Sequence, residues 1–94
     1  MTEDVKILTE KLVQYFKEQG LFVDVLDLPH EFTQMIVYKT RDEPTEYLEV
    51  TVDALDEINI TMYVKLNDRW KITLDEDFTT LEDIKHQLDI GGIW

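Results

Sequence analysis

The chain has 94 residues, 44% of them hydrophobic, enough for one modest core and a single domain spanning 1–94. Twenty-one acids against nine bases give a formal net charge of −12, which opposes binding to a nucleic-acid backbone. The chain contains neither cysteine nor serine, which excludes disulfide scaffolds, cysteine-ligated zinc and Ser or Cys nucleophiles.

Residues 3–19 read as an amphipathic helix. Val5, Leu8, Leu12 and the Tyr15/Phe16 pair recur at helical spacing, and Ile7 and Val13 widen the stripe. Thr2 is placed to cap the first free amides, and Glu3 and Asp4 complement the positive end of the helix dipole. Gly20 supplies the left-handed residue that closes the helix, with Leu21 packing back on it. A short strand over 21–26 follows, and Pro29 stops it.

The period then changes from 3.6 to 2. Residues 34–40 form a strand whose continuous Met35-Ile36-Val37-Tyr38 run does not itself say which face is which. Leu48, Val50 and Val52 alternate with Tyr47, Glu49, Thr51 and Asp53. Ile58, Ile60, Met62, Val64 and Leu66 alternate with Asn59, Thr61, Tyr63 and Lys65, and Trp70, Ile72 and Leu74 with Arg69, Lys71 and Thr73. Such alternations mark an antiparallel sheet with one buried face and one wet face. Asn67-Asp68 suggests a two-residue turn, but it sets Leu66 opposite Arg69, a core residue opposite a solvent residue. A three-residue loop over 67–69 restores Leu66 opposite Trp70 and Val64 opposite Ile72, and is preferred.

Thr79 and Glu82 have the spacing of a capping box, and Leu81, Ile84 and Leu88 form the apolar edge of a second helix ending near Asp89. The terminal Ile93 and Trp94 are apolar enough that Trp94 is expected to dock. Two helices bracketing four or five strands give an α+β two-layer domain, a four- to five-stranded antiparallel meander with both helices on one face.

Catalytic and metal motifs fail on inspection. The segment from Asp75 begins like a calcium loop, but Thr80 stands where glycine is needed and His86 where the bidentate Glu should close it. His30-Glu31 opens a zinc-protease pattern that Gln34 breaks, and it follows Pro29 outside any helix. Gly20, Gly91 and Gly92 do not cluster into a phosphate loop. Thr2 is better explained as a cap than as a nucleophile, and carboxylate pairs such as Asp53/Asp56 reflect only the abundance of acids. Neither cofactor nor metal ligand set is expected. The acidic N-terminal stretch and the lack of a long apolar run lead to the expectation of a cytoplasmic, non-membrane protein.

The charge has a layout. Segment sums are 0 for 1–17, −4 for 18–31, +1 for 32–40, −6 for 41–57, +2 for 58–74 and −5 for 75–94. Alternate connections of a meander emerge at one end. Asp24, Asp27 and Glu31, then Asp53, Asp56 and Glu57, then Asp75, Glu76 and Asp77 are thus expected to gather into an acidic pole. A second surface is the uncovered sheet face. Val52 opposite Ile58 places Tyr47 opposite Tyr63, and the loop over 67–69 places Lys65 opposite Lys71. With Ile36 and Tyr38 turned to the core, Met35, Val37 and Lys39 join that outer face.

The function expected from these features is that of a small acidic, non-enzymatic protein. It binds a protein partner with a basic surface, as inhibitor, immunity factor, adaptor or chaperone, through the acidic pole, the open face or both. Alternatives are a nucleic-acid mimic that occupies the basic groove of a nuclease or other DNA-binding protein, a homodimer through the open face, and a metal-dependent carboxylate/His enzyme.

Overall fold

The computed structural model describes residues 3–27, 33–53 and 57–91. The Thr2 cap, His30, Glu31, Asp56 and the docking of Trp94 lie outside the described residues. Helix α1 (Glu3–Glu18) buries Val5, Leu12 and Phe16 completely. Thr9, on the same face, returns its hydroxyl proton to the Val5 carbonyl at 2.7 Å, which satisfies a buried polar group. Val13 widens the apolar stripe as the spacing implies, whereas Ile7 stays exposed. Gly20 has φ +80°, its N–H donates to the Lys17 carbonyl at 3.0 Å, and the Leu21 N–H donates to the Phe16 carbonyl at 3.1 Å. The pattern is the left-handed stop expected at that glycine.

Five strands follow: β1 (Phe22–Asp27), β2 (Thr33–Tyr38), β3 (Glu46–Val52), β4 (Ile58–Leu66) and β5 (Arg69–Phe78). They lie in the order β1-β2-β3-β4-β5, every pair antiparallel, and α2 (Leu81–Asp89) closes the chain. The result is an α-β(5)-α two-layer α+β domain. Val23, Met35, Val37, Leu48, Val50, Val52, Ile58, Ile60 and Phe78 meet Val5, Leu12, Phe16 and Ile84 in one core, so both helices cover the same sheet face. No helix among the described residues is long and apolar enough to cross a membrane.

The β3–β4 register matches the expected one throughout: Val52 faces Ile58, Thr51 Asn59, Glu49 Thr61 and Tyr47 Tyr63. Three expectations need correction. First, Met35 and Val37 belong to the core and not to the outer face. Pairing of Met35 with Val50 and Val37 with Leu48 puts them in the buried row, and both are fully buried. Ile36 and Tyr38 therefore face outward, and parity puts Lys39 on the helix side, where it pairs with Glu46 at 3.2 Å.

Second, the β4–β5 connection is the two-residue turn after all. Asn67 and Asp68 have φ of 52° and 61°, and Leu66 pairs with Arg69. Two successive left-handed residues characterise the type I′ turn that suits a twisted hairpin. The parity conflict is resolved by a bulge. Tyr63 pairs with Ile72 and Met62 with Leu74, so Thr73 is the extra residue. Between turn and bulge the faces of β5 are reversed: Trp70 and Ile72 point outward, and Lys71 and Arg69 lie opposite Val64 and Leu66 on the helix side. Lys65 accordingly faces Trp70 and not Lys71. Leu66, Arg69 and Lys71 are exposed, because this tip of the hairpin projects past the helical layer. Beyond the bulge β5 continues to Phe78, so Asp75, Glu76 and Asp77 belong to a strand and not to a connection.

Third, the cap of α2 is Thr80, one residue beyond the expected Thr79. Its backbone is extended (φ −137°, ψ 153°), and its hydroxyl accepts the Asp83 N–H at 3.2 Å.

Candidate functional site

Reversal of β5 at Thr73 assembles a row of large side chains straight across the open face. Phe22 on β1 pairs with Tyr38 on β2, Tyr38 with Tyr47 on β3, Tyr47 with Tyr63 on β4, and Tyr63 with Ile72 on β5. The Tyr38 and Tyr47 ring centroids are 6.2 Å apart, Tyr47 stacks on Tyr63 at 4.9 Å, and the edge of Trp70 meets Tyr47 at 5.0 Å. The aromatic contacts stabilise one another in the offset and edge geometries their quadrupoles favour. They do not hide the row: Phe22 and Trp70 remain 43% exposed and Ile72 59% exposed.

Bases stand at both ends of the row. The Arg41 guanidinium lies 5.4 Å from the Phe22 ring centre while its Nη2 donates to the Asp24 carboxylate at 2.8 Å. Lys65 places its ammonium 6.0 Å from the Trp70 ring centre. Beside Trp70, a cleft of about 700 Å³ opens between the β2–β3 connection and the β4–β5 turn, lined by Glu43, Pro44, Thr45, Lys65, Asn67, Asp68 and Trp70.

Next to the aromatic row, one step nearer the other end of the strands, runs a polar row. It comprises Asp24, Ile36, Glu49, Thr61 and Asp75, with Asn59 and Asp77 in the row beyond. Gln34 Nε2 donates to Glu49 Oε1 at 2.7 Å, and the Tyr63 hydroxyl hydrogen-bonds to the same carboxylate. The Asn59 amide donates to Asp75 and to Asp77, both at 2.9 Å, while its oxygen accepts the Thr61 hydroxyl at 3.0 Å. Among the described residues no lysine or arginine pairs with Glu49, Asp75 or Asp77. Their carboxylates are oriented by neutral donors, and their charge is left uncancelled.

Burial raises the Tyr47 phenol above its ordinary pKa, with Tyr63, Glu49 and Tyr38 adding to the effect. For Tyr63 burial again leads, followed by the charges of Glu49 and Asp75 and the hydrogen bond to Glu49. Both phenols therefore remain neutral donors well into the alkaline range.

Of the residues expected at an acidic pole, Asp27, Asp53, Glu57 and Asp77 come near one end of the sheet and Asp24 does not. Asp24 sits mid-strand in an ion pair with Arg41, a residue of the opposite-end connection. Asp27 is the last residue of β1, its backbone paired with Thr33 at the end where β3 also finishes. At that end Asp53 and Glu57 pin the mouth of their connection: the Asp53 N–H donates to the Glu57 carbonyl at 3.1 Å, and the Glu57 N–H to Asp53 Oδ1 at 3.0 Å. Asp75 and Asp77 lie on the open face, and Glu76, paired with Ile60, on the helix side. No three His, Asp or Glu side chains among the described residues converge as metal ligands.

Of the expected interface residues, Tyr47, Tyr63 and Lys65 lie together on the open face, with Asp75 and Asp77 in the rows beside them. Met35, Val37 and Lys71 do not. Phe22, Ile36, Tyr38, Trp70 and Ile72 are additions. Trp70 and Ile72 carried a usable signal, the conflict between an Asn-Asp turn and strand parity, which a bulge reconciles. Comparison with protein-family models, curated proteins and solved structures finds no match to this chain.

Proposed function

We propose that this is a small acidic, non-enzymatic protein of the cytoplasm that acts by binding a protein partner through the open face of its sheet. The aromatic row carries this reading. Five large rings and Ile72 lie contiguously on a face that no described element covers, and a solvated surface rarely concentrates Tyr, Trp and Phe in this way.

A magnitude decides what kind of partner is needed. Full burial of a large apolar side chain is worth about 1.5–3 kcal/mol, so covering the exposed parts of Phe22, Trp70 and Ile72 supplies roughly 2–4 kcal/mol. Association costs about 4–15 kcal/mol in lost freedom, so apolar contact alone is insufficient. The uncancelled Glu49, Asp75 and Asp77 supply the remainder when they meet bases of the partner, and such pairing also fixes orientation and speeds encounter. An inhibitor, immunity factor or adaptor that masks a basic, partly apolar surface has these properties.

The test is affinity isolation from the native cell at low and moderate salt, using the wild-type chain and a Tyr47→Glu/Tyr63→Glu variant of verified fold. Each captured protein is then measured as a purified pair. The proposal requires a direct, salt-sensitive complex that the variant loses. A complex indifferent to the variant refutes it. Capture that free DNA reverses would assign the nucleic-acid mimic instead, and a dimer seen by light scattering that the variant dissociates would assign self-association.

A further inference from the structure

The rows of the open face have a spacing, and the spacing selects a shape of ligand. Phe22, Tyr38, Tyr47, Tyr63 and Ile72 succeed one another across five strands, one strand apart at each step. Strands lie about 4.8 Å apart, so the row advances about 19 Å in four steps. Successive positions on one stripe of an α-helix are about one turn apart, 5.4 Å, which keeps pace with the row to within about 2–3 Å over its length. Same-face residues of an extended strand are about 6.8 Å apart and lose register by about 8 Å over the same four steps. The carboxylates of Glu49 and Asp75 run parallel to the aromatic row, two residues from it along β3 and, across the bulge, three along β5, with Asp77 one row further. That offset of about 7–14 Å from the aromatic row spans the width of a helix with its side chains, about 10–12 Å.

The chain itself is a poor second occupant. Each copy carries a net charge of −12, and the bases described on this face that a second copy would offer to Glu49, Asp75 and Asp77 are Lys65 and Arg41, already engaged with Trp70 and with Phe22 and Asp24. We infer that the open face receives a basic amphipathic helix of a partner protein, laid across the strands, its apolar stripe on the aromatic row and its Lys/Arg stripe on Glu49, Asp75 and Asp77. This rests on the proposed role of the face and names the chemistry of what docks there. The length of the row corresponds to about 13 helical residues, or three to four apolar anchors.

Three synthetic 14-residue peptides test the inference against the intact chain at about 0.1 M salt. One has Leu and Lys in helical order, one has the same composition in strict alternation, and one has Leu and Glu in helical order. Binding is read by anisotropy of a labelled peptide, and helix formation by circular dichroism of the mixture. The helical Leu/Lys peptide is expected to bind and gain helix, and the other two to bind at least tenfold more weakly. Glu49→Gln/Asp75→Asn/Asp77→Asn should weaken the helical peptide at least tenfold, as should Trp70→Ala. Glu10→Gln/Glu18→Gln/Glu82→Gln, on the helical layer, should not. Equal binding of the alternating peptide, or equal losses from the two acid triples, overturns the inference. Because the peptides probe an unaltered protein, failure of a variant to fold leaves the comparison decisive. If a protein partner is lost on Tyr47→Glu/Tyr63→Glu while no helical peptide binds, the helix fails and the role of the face survives. If peptide and partner both ignore the face, both readings fall.

Discussion

Ile72→Thr weighs the bulge directly. Threonine keeps the β-branch, so strand propensity changes little, and the substitution reports on what the isoleucine buries. In the structure Ile72 is 59% exposed, so about two fifths of a transfer energy of about 1.5–3 kcal/mol is at stake, or about 0.6–1.2 kcal/mol. For a domain of this size that corresponds to a fall in Tm of about 2–10 °C. Ile60→Thr, at a fully buried position on the adjoining strand, forfeits the whole transfer energy and leaves a hydroxyl in the core, about 3 kcal/mol or more. Thermal and urea melts followed by circular dichroism give both numbers. If Ile72→Thr costs more than about 2 kcal/mol, approaching Ile60→Thr, then Ile72 is a core residue. The bulge is then wrong, and Trp70 and Ile72 leave the proposed binding face together.

Asp68→Gly should raise stability by about 0.5–1 kcal/mol, because glycine adopts φ +61° without strain; a loss would argue for the three-residue loop. Thr80→Ala should cost about 1 kcal/mol through the lost bond to the Asp83 N–H while Thr79→Ala costs little, and denaturant melts that reverse this order would move the start of α2. Tyr47 and Tyr63 should ionise above the ordinary tyrosine range in a 295 nm titration with Tyr→Phe difference spectra, and Glu49→Gln should bring Tyr63 back toward it. Their folded-state pKa values are raised, so the linked stability is intact below about pH 10 and is lost as pH climbs through the folded values. Ordinary ionisation of both phenols would remove the Glu49–Tyr63 contact from the face.

Legibility in the sequence tracked how far a pattern was local. The α1 stripe, the Gly20 stop and the β3–β4 register depend on spacing within one or two adjacent elements, and they stand as read but for Ile7, which is exposed. The Met35-Ile36-Val37-Tyr38 run was ambiguous because all four residues are large and hydrophobic, so period 2 has no contrast there. What decides the run is long-range: β3 presents Leu48 and Val50 on its buried side, and Val37 and Met35 must join that row. The hairpin tip misled for another reason. Parity arguments assume that the core face stays covered along a whole strand, but α2 has only nine residues and β5 has ten that begin at the exposed tip. Past the helices the apolar side has nothing to bury against, and the tyrosines on the far side are the better neighbours for Trp70 and Ile72.

The same geometry explains why the charge is not spread evenly. Four of the nine bases are engaged within the molecule: Arg41 with Asp24 and Phe22, Lys39 with Glu46, Lys65 with Trp70, and Lys85 with Glu82 and the Tyr15 ring. Among the described residues, Glu49, Asp75 and Asp77 on the open face receive only neutral donors, namely Gln34 and Tyr63 on Glu49 and Asn59 on Asp75 and Asp77. A neutral donor orients a carboxylate but leaves its charge, and a charge held in place beside an aromatic surface is preorganised for an external cation. Folding alone would be served as well by a lysine at Gln34 or Asn59, which would add ion pairing where like charges now adjoin. Placing amides there keeps three negative charges directed at solvent beside the apolar row, an arrangement that favours an incoming basic surface over contacts within the chain.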